Sequence, residues 1–142
     1  MMKNKLIRLK NRITAIDKCL TTVEAESKAM KVLIEAWERG DRITYKNMGE
    51  LAYYEPLNIG EGVMSFRIPS QDGTISFIVI MEDQGELVNH FHDCKELLIR
   101  LYGDLLVNGE KMKTKEIVFE IDEDHHLQAV NKTLLIVHFE KP

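Results

Sequence analysis

Four of the five histidines fall in two clusters, and the first cluster has the spacing of metal ligands. Alternate side chains of a β-strand share a face, so His90 and His92 point the same way. If the strand continues, Cys94 and Glu96 join them, whereas a turn at residues 93–95 removes Cys94. Two neutral imidazoles and a carboxylate suit Fe, Mn, Ni, Zn or Cu. The segment therefore predicts a site for one divalent transition metal.

The second cluster lies about thirty residues further along the chain and consists of His125 and His126. Neighbouring residues of a strand point to opposite faces, so only one of the two can join a common site. The pair therefore offers a third imidazole ligand, and the residues alone leave both histidines open.

Around these residues the chain resembles the cupin superfamily. The first motif of that family is a glycine, about five residues, His-x-His, three or four residues, Glu, six residues and Gly. The matching positions here are Gly85, His90, His92, Glu96 and Gly103, with four residues instead of five after Gly85. The resemblance covers about residues 60–140.

The second motif of the family is matched less closely. It places a proline-containing turn, a His and then an Asn on the returning strands. The segment 121–131 lacks the Pro and the Gly of this motif, and its spacing from His to Asn is longer. In the family, alternating apolar residues follow the His of this motif. If Leu127 and Ala129 are these residues, His125 is the third ligand, whereas the length of the turn in the motif favours His126. We predict His125, with His126 as the alternate.

The resemblance implies a small jelly-roll β-barrel with one metal (Fe, Mn, Ni or Zn) in its mouth. Its ligands would be His90, His92, Glu96 and His125, which leaves one or two positions for water or a small-molecule ligand. Glu96 would then serve as a ligand or as a general acid or base. The family includes dioxygenases, isomerases, sensors and storage proteins, so the fold does not choose the reaction.

Three side chains within or after the motif have both a functional and a structural interpretation. A continuous strand places Arg100 on the face of Glu96, where it either pairs with that carboxylate or holds an anionic substrate. Tyr102 has the same parity and is either a second substrate-binding residue or part of the core. Cys94 is expected to be a small buried residue, and His138 a hydrogen-bonded core or interface residue.

The predicted secondary structure changes from helix to strand near residue 40. Before it, apolar residues recur at steps of three and four and predict an amphipathic helix with a stripe of Leu6, Leu9, Ile13, Ile16, Leu20 and Val23. A second helix is predicted from the capping box of Thr21 and Glu24 to Trp37, with Gly40 as its terminator. We therefore divide the chain into a helical segment, 1–40, and a barrel domain, 41–142.

After residue 40, short apolar segments separated by turn residues predict a mainly β fold. Asn108-Gly109 between two apolar segments predicts a hairpin with a type I′ turn. The predicted strands are Ile43–Asn47, Leu51–Tyr54, Val63–Ile68, Thr74–Met81, Leu87–His92, Leu97–Tyr102, Leu105–Val107, Ile117–Ile121, His126–Val130 and Leu134–Phe139.

Length and composition limit the class of protein. The 142 residues, 44% of them hydrophobic, fit one globular domain, and no apolar stretch reaches the ~20 residues of a membrane-spanning helix. Two cysteines do not make a disulfide framework, so we expect a cytoplasmic protein without a membrane partner. Residues 1–20 hold six Lys or Arg and one Asp, a net +5, but the net charge of −4 for the whole chain argues against nucleic acid as a partner.

Two functions are consistent with these patterns. The first is a single-domain metalloenzyme that acts on a small molecule through the His/His/Glu/His site. The second is a non-catalytic cupin that binds a small ligand or a protein, with the N-terminal helices mediating oligomerisation or docking. The apolar face of Leu97, Ile99 and Leu101 would point away from the barrel interior, so we also predict a homodimer.

Overall fold

The computed structural model describes residues 28–51, 56–69, 72 and 74–142, and these residues are mainly in β-strands. Helix α1 covers residues 28–39, and helix α2 is Tyr45–Gly49. The strands are β1 (Arg42–Ile43), β2 (Leu57–Ile68), β3 (Ile75–His92), β4 (Glu96–Tyr102), β5 (Leu105–Val107), β6 (Glu110–Lys111), β7 (Glu116–Phe119), β8 (His125–Ala129) and β9 (Thr133–Phe139).

The strands form one curled sheet, antiparallel except for β1, in which the long strand β3 takes part twice. Its first half pairs with β2 on one side and β9 on the other, and its second half pairs with β8. From β3 the sheet continues through β9 to β4 and β7, and through β8 to β5 and β6. The curled sheet encloses fully buried side chains such as Leu98, Leu105 and Leu135. This architecture confirms the predicted jelly-roll fold class.

Strand β3 passes from one half of the sheet to the other at residues 82–85. Gln84 has a φ of +64°, and Gly62 of the neighbouring strand β2 has a φ of +67°. A Cβ at position 85 would lie 2.7 Å from the Gly62 carbonyl oxygen. Only glycine permits this approach of two backbones, which accounts for the first glycine of the motif.

Helix α1 packs through one face and ends where the sequence predicts. Its buried residues share a helical face and are Ala29, Leu33, Ala36 and Trp37. Gly40 has a φ of +68°, and the Asp41 amide donates to the Ala36 carbonyl at 2.9 Å, as in a Schellman motif. A Cβ at position 40 would overlap the Asn89 carbonyl oxygen. The helix end therefore lies directly against β3, and the predicted terminator is confirmed.

Three strand predictions differ from the structure by more than two residues. Strand β2 begins at Leu57, six residues before the predicted start at Val63. The predicted strand Ile43–Asn47 is β1 followed by α2, because the Thr44 side chain accepts a hydrogen bond from the Asn47 amide and caps a helix. The two predicted strands Thr74–Met81 and Leu87–His92 are one continuous strand, β3.

The Asn108-Gly109 hairpin between β5 and β6 is confirmed, with φ values of +51° and +81°. The first predicted helix, the capping box of the second and most of Leu51–Tyr54 lie outside the described residues. Buried side chains of α1 belong to the same hydrophobic core as those of the barrel. The division of the chain into two segments at residue 40 stays a prediction. In the part of the chain that the structure describes, no helix has the length and apolar content needed to cross a membrane.

Candidate metal centre

A β-bulge near the end of β3 turns two histidines toward the barrel interior. The register of β3 against β8 shifts between Leu87 and His90, and both intervening residues are exposed. Leu87 faces inward, so strict alternation would turn His90 outward. With the bulge, His90 and His92 both face inward and are each 2% exposed.

A short turn over residues 93–95 places Glu96 beside these histidines. Strand β3 ends at His92, and Glu96 begins β4 and is 4% exposed. Cys94 lies in the turn and is buried, and burial raises the pKa of its thiol to about 12, with Asp93 and Glu96 acting in the same direction. The turn is therefore the alternative that the structure adopts, and Cys94 is a buried neutral thiol, as expected.

Strand β8 brings His125 into register with His90. The preceding turn holds Asp122 at a φ of +58°. The Asp122 amide donates to the His92 carbonyl at 2.7 Å, and the Asp122 carboxylate accepts two hydrogen bonds from Arg42, at 2.8 and 3.1 Å. These contacts fix the turn in the absence of the proline that the family motif has there.

His126 points to the opposite face of β8, as the neighbour of an inward-facing residue must. Its Nε2 atom lies 2.6 Å from the Glu86 carboxylate, and its side chain is 32% exposed. The structure therefore brings His125, and not His126, together with His90 and His92.

The three inward-facing histidines form a compact cluster whose ligand atoms lie within 4.8 Å of one another. Nδ1 of His90 lies 2.8 Å from the Val88 carbonyl oxygen, and Nδ1 of His125 lies 3.0 Å from that of Glu123. These backbone contacts fix the ring orientation and leave Nε2 of both histidines available, as is usual for metal-binding imidazoles.

Several buried polar atoms of the cluster have no hydrogen-bond partner, namely both ring nitrogens of His92, Oε2 of Glu96 and Nε2 of His125. The Glu96 and His125 atoms are 2.9 Å apart, but their orientation does not make a well-formed hydrogen bond. Oε2 of Glu96 is also 4.0 Å from Nε2 of His92. Because buried polar atoms are nearly always satisfied, atoms that converge without partners fit a shared cation.

The electrostatics of the cluster favour metal-binding protonation states of His90, His92 and Glu96, whereas His125 has to lose a proton from Nε2 before it binds a metal. Burial lowers the pKa of His90 to about 3 and the pKa of His92 to about 4, so both are neutral at pH 7. Burial by itself would raise the pKa of Glu96, but the three imidazoles, His125 foremost, lower it to about 2. Burial opposes a charge on His125 as well, yet the Glu96 carboxylate outweighs it and raises the pKa of His125. An anionic carboxylate thus lies among imidazoles.

Three imidazole nitrogens and one carboxylate oxygen form a donor set that fits a divalent transition metal. His90, His92 and His125 would supply the nitrogens and Glu96 the oxygen. The neutral Cys94 thiol lies outside this set, because metal binding needs the thiolate. The donor set is compatible with Fe, Mn, Ni and Zn and does not select among them.

The two predicted substrate-binding residues lie away from this cluster. The Arg100 guanidinium donates to the carbonyls of Gly103 at 2.8 Å and Thr114 at 3.4 Å and so contacts backbone, not Glu96. Tyr102 follows a register shift in β4 and is 67% exposed. Neither residue lines the cavity beside the histidines. Their role in substrate binding stays a prediction.

The cavity beside the histidines has a volume of about 20 Å³, which is space for little more than one water molecule. His90, His92 and Glu96 form most of its polar part, and Trp37 of α1 forms part of its apolar wall. A second aromatic ring, Phe119, stacks on His125 with a centroid distance of 4.1 Å. Sequence reasoning missed both aromatic residues, because the apolar pattern of a helix (Trp37) or of a strand (Phe119) does not show which buried residue reaches the site.

Comparison with known proteins yields no match to a protein-family profile or to a curated sequence, but it yields many matches to solved structures. One chain of the Rhodobacter sphaeroides complex of SigE with the anti-sigma ChrR has a TM-score of 0.55 at 15% identity, over 61% of this chain and 48% of that chain. An RmlC-like cupin from Shewanella frigidimarina has a TM-score of 0.53 at 18% identity, over 61% and 82%. An acetylacetone dioxygenase from Acinetobacter johnsonii has a TM-score of 0.50 at 12% identity, over 58% and 62%.

The curled sheet is similar to the sheets of solved cupin structures. At these identities the structural likeness establishes the fold, and this chain has the fold of the cupin superfamily. It spans about half of the chain from the SigE–ChrR complex and less than two-thirds of the dioxygenase.

Proposed function

We propose that this protein is a metal-binding cupin that holds one divalent transition metal through His90, His92, His125 and Glu96. The observation that carries the proposal is the convergence of three buried imidazoles and one buried carboxylate in the barrel interior. The bound metal would supply Lewis acidity or redox chemistry to a small molecule. The fold, shared with an RmlC-like cupin and with an acetylacetone dioxygenase, supports this class of function.

The protein's own residues would orient the ligands and exclude water. Backbone carbonyls fix the rings of His90 and His125, and apolar side chains such as Phe139 and Leu135 surround the site. Glu96 is the residue proposed to act either as the fourth ligand or as a general acid or base, because it is the carboxylate that contacts the imidazoles.

Metal content provides the direct test. Protein purified without a metal-binding tag is expected to contain about one equivalent of Fe, Mn, Ni or Zn per chain, measured by elemental analysis. After removal of the metal with a chelator, Co²⁺ should restore about one equivalent with the visible absorption bands of a nitrogen- and oxygen-ligated ion. A folded protein that takes up none of these metals, before or after reconstitution, would refute the proposal.

A second candidate function, protein association, is favoured by the outward-facing side of the sheet. Register pairs place Phe66, Ile78, Ile136 and Ile99 in one row across β2, β3, β9 and β4. The rows above and below extend this surface, which we call the outer face and define as Met64, Phe66, Ile68, Ile78, Ile80, Leu97, Ile99, Leu134 and Ile136. His138 lies beside it and is hydrogen-bonded to Ser76.

We propose that a second copy of this chain covers the outer face. Two such sheet faces can pack about 10 Å apart with their side chains interdigitated, and a twofold axis would place the same surface on both sides. About ten side chains is fewer than the roughly 20–30 residues per side of a standard stable interface. We therefore expect a dimer that dissociates on dilution.

Ile136→Lys places a charge at the centre of the outer face and is expected to give a monomer at every concentration, because an unpaired charge would be buried in the dimer. Ile121→Lys is the matched control, since Ile121 is 52% exposed in the turn before β8 and is not part of the outer face. Sedimentation velocity over a wide concentration range measures the effect. A wild-type protein that stays monomeric, or an equal effect of both substitutions, would contradict the dimer.

A further inference from the structure

Trp37 separates two cavities that differ in size and character. The inner cavity, of about 20 Å³, is lined by His90, His92 and Glu96 on its polar side. The outer cavity has a volume of about 180 Å³ and is lined by Trp37, Glu38, Ile59, Gly60, Glu61, Glu86 and Val88. Trp37 and Ile59 are the two residues that line both cavities. Trp37 and Ile59 therefore form the wall that the two cavities share.

The position of the indole is fixed by the end of α1. Trp37 is 4% exposed and lies one turn before the Schellman end at Gly40. Gly40 lies against the Asn89 backbone, within the β3 segment that turns His90 inward. The helix end, the bulge and the histidine cluster are thus adjacent, so Trp37 belongs to the wall of the site although it lies far from the ligands in sequence.

We propose that Trp37 determines the size of the ligand that reaches the histidine cluster. With the indole in place, the inner cavity admits molecules of two or three atoms but excludes larger organic molecules. The outer cavity has room for such molecules, and removal of the indole would join the two volumes. The kind of ligand in this inference rests on the proposed metal function, but the access of a molecule to the histidines can be tested without a metal.

The metal-free test uses diethyl pyrocarbonate, which acylates accessible neutral imidazoles and is too large for the inner cavity. In the full-length wild-type protein we expect rapid modification of the part-exposed His126 and protection of His90 and His92. Trp37→Ala should increase the modification rate of His90 and His92 by at least about tenfold, read by mass spectrometry of the digested protein. Trp37→Phe retains a smaller ring and is the variant to use if Trp37→Ala folds poorly. Its modification rates at His90 and His92 should lie between those of the wild type and Trp37→Ala.

Leu33→Ala is the matched control, because Leu33 is fully buried on the same helix but lines neither cavity. Its modification rates should equal those of the wild type. Equal rates in the wild type and Trp37→Ala would overturn the inference. An increase in Leu33→Ala as large as that in Trp37→Ala would also overturn it, since loosening of the whole helix would then explain access.

A second arm uses Co²⁺-loaded protein and two probes, azide and picolinate, followed by the visible absorption of the metal. Azide should bind to all variants, whereas picolinate should bind to Trp37→Ala and not to the wild type or Leu33→Ala. Picolinate binding to the wild type would overturn the inference. If the wild type binds no Co²⁺, the proposed metal function fails, and the acylation rates still decide whether Trp37 controls access.

Discussion

His125→Ala is expected to weaken metal binding by at least about 100-fold, because even residues that only support a metal ligand are worth about 10–100-fold in affinity. His126→Ala should change the affinity by no more than about twofold, since substitutions at partly exposed sites usually have small effects. The two histidines are neighbours in sequence, but His125 lies in the buried cluster and His126 contacts Glu86 on the opposite face of β8.

Calorimetric titration of the metal-free variants with Zn²⁺ or Co²⁺ measures this difference. Circular dichroism and thermal unfolding show whether each variant is folded. If His125→Ala does not fold because the buried Glu96 carboxylate has lost its contact, His125→Asn keeps a polar side chain at that position. His90→Ala/His92→Ala should lose the metal as well. Unchanged affinity in His125→Ala, or an equal loss in His126→Ala, would mean that the inward-facing cluster is not the metal site.

Gly103→Ala is expected to lower the free energy of unfolding by more than about 3 kcal/mol. Gly103 has a φ of +85°, and a Cβ there would overlap the Lys132 carbonyl oxygen and lie 2.8 Å from Cα of Thr133. The new methyl group would therefore push β4 and β9 apart where they meet. The last glycine of the motif is thus required both by its backbone conformation and by the approach of a second backbone.

Gly109→Ala is the matched control for this prediction. Gly109 has nearly the same φ, +81°, but no atom lies within 4 Å of a Cβ at that position. Its substitution costs only the conformational strain, about 1 kcal/mol. Thermal unfolding should show a decrease of about 10 °C for Gly103→Ala and about 3 °C for Gly109→Ala. Similar decreases for both variants would show that the close approach at Gly103 is relieved without cost.

Local patterns in the sequence predicted many of the fold elements correctly. The strand Leu105–Val107, the hairpin at Asn108-Gly109 and the helix end at Gly40 all agree with the structure. These features depend on alternation, turn chemistry and positive φ, which are properties of a few consecutive residues. The continuity of β3 through Gly85 was not predictable in this way, because it depends on the close approach of Gly62 from another strand.

The sequence by itself determined the residue types of the candidate site, with His90, His92 and Glu96 at a metal-ligand spacing. Only the tertiary structure decided which further residues join them. The bulge in β3 and the register of β8 turned His125 inward, left His126 outside and brought Trp37 to the cavity wall. The physical reason is that a shift of one residue reverses the face of every side chain in a strand, and such shifts are set by contacts between distant parts of the chain.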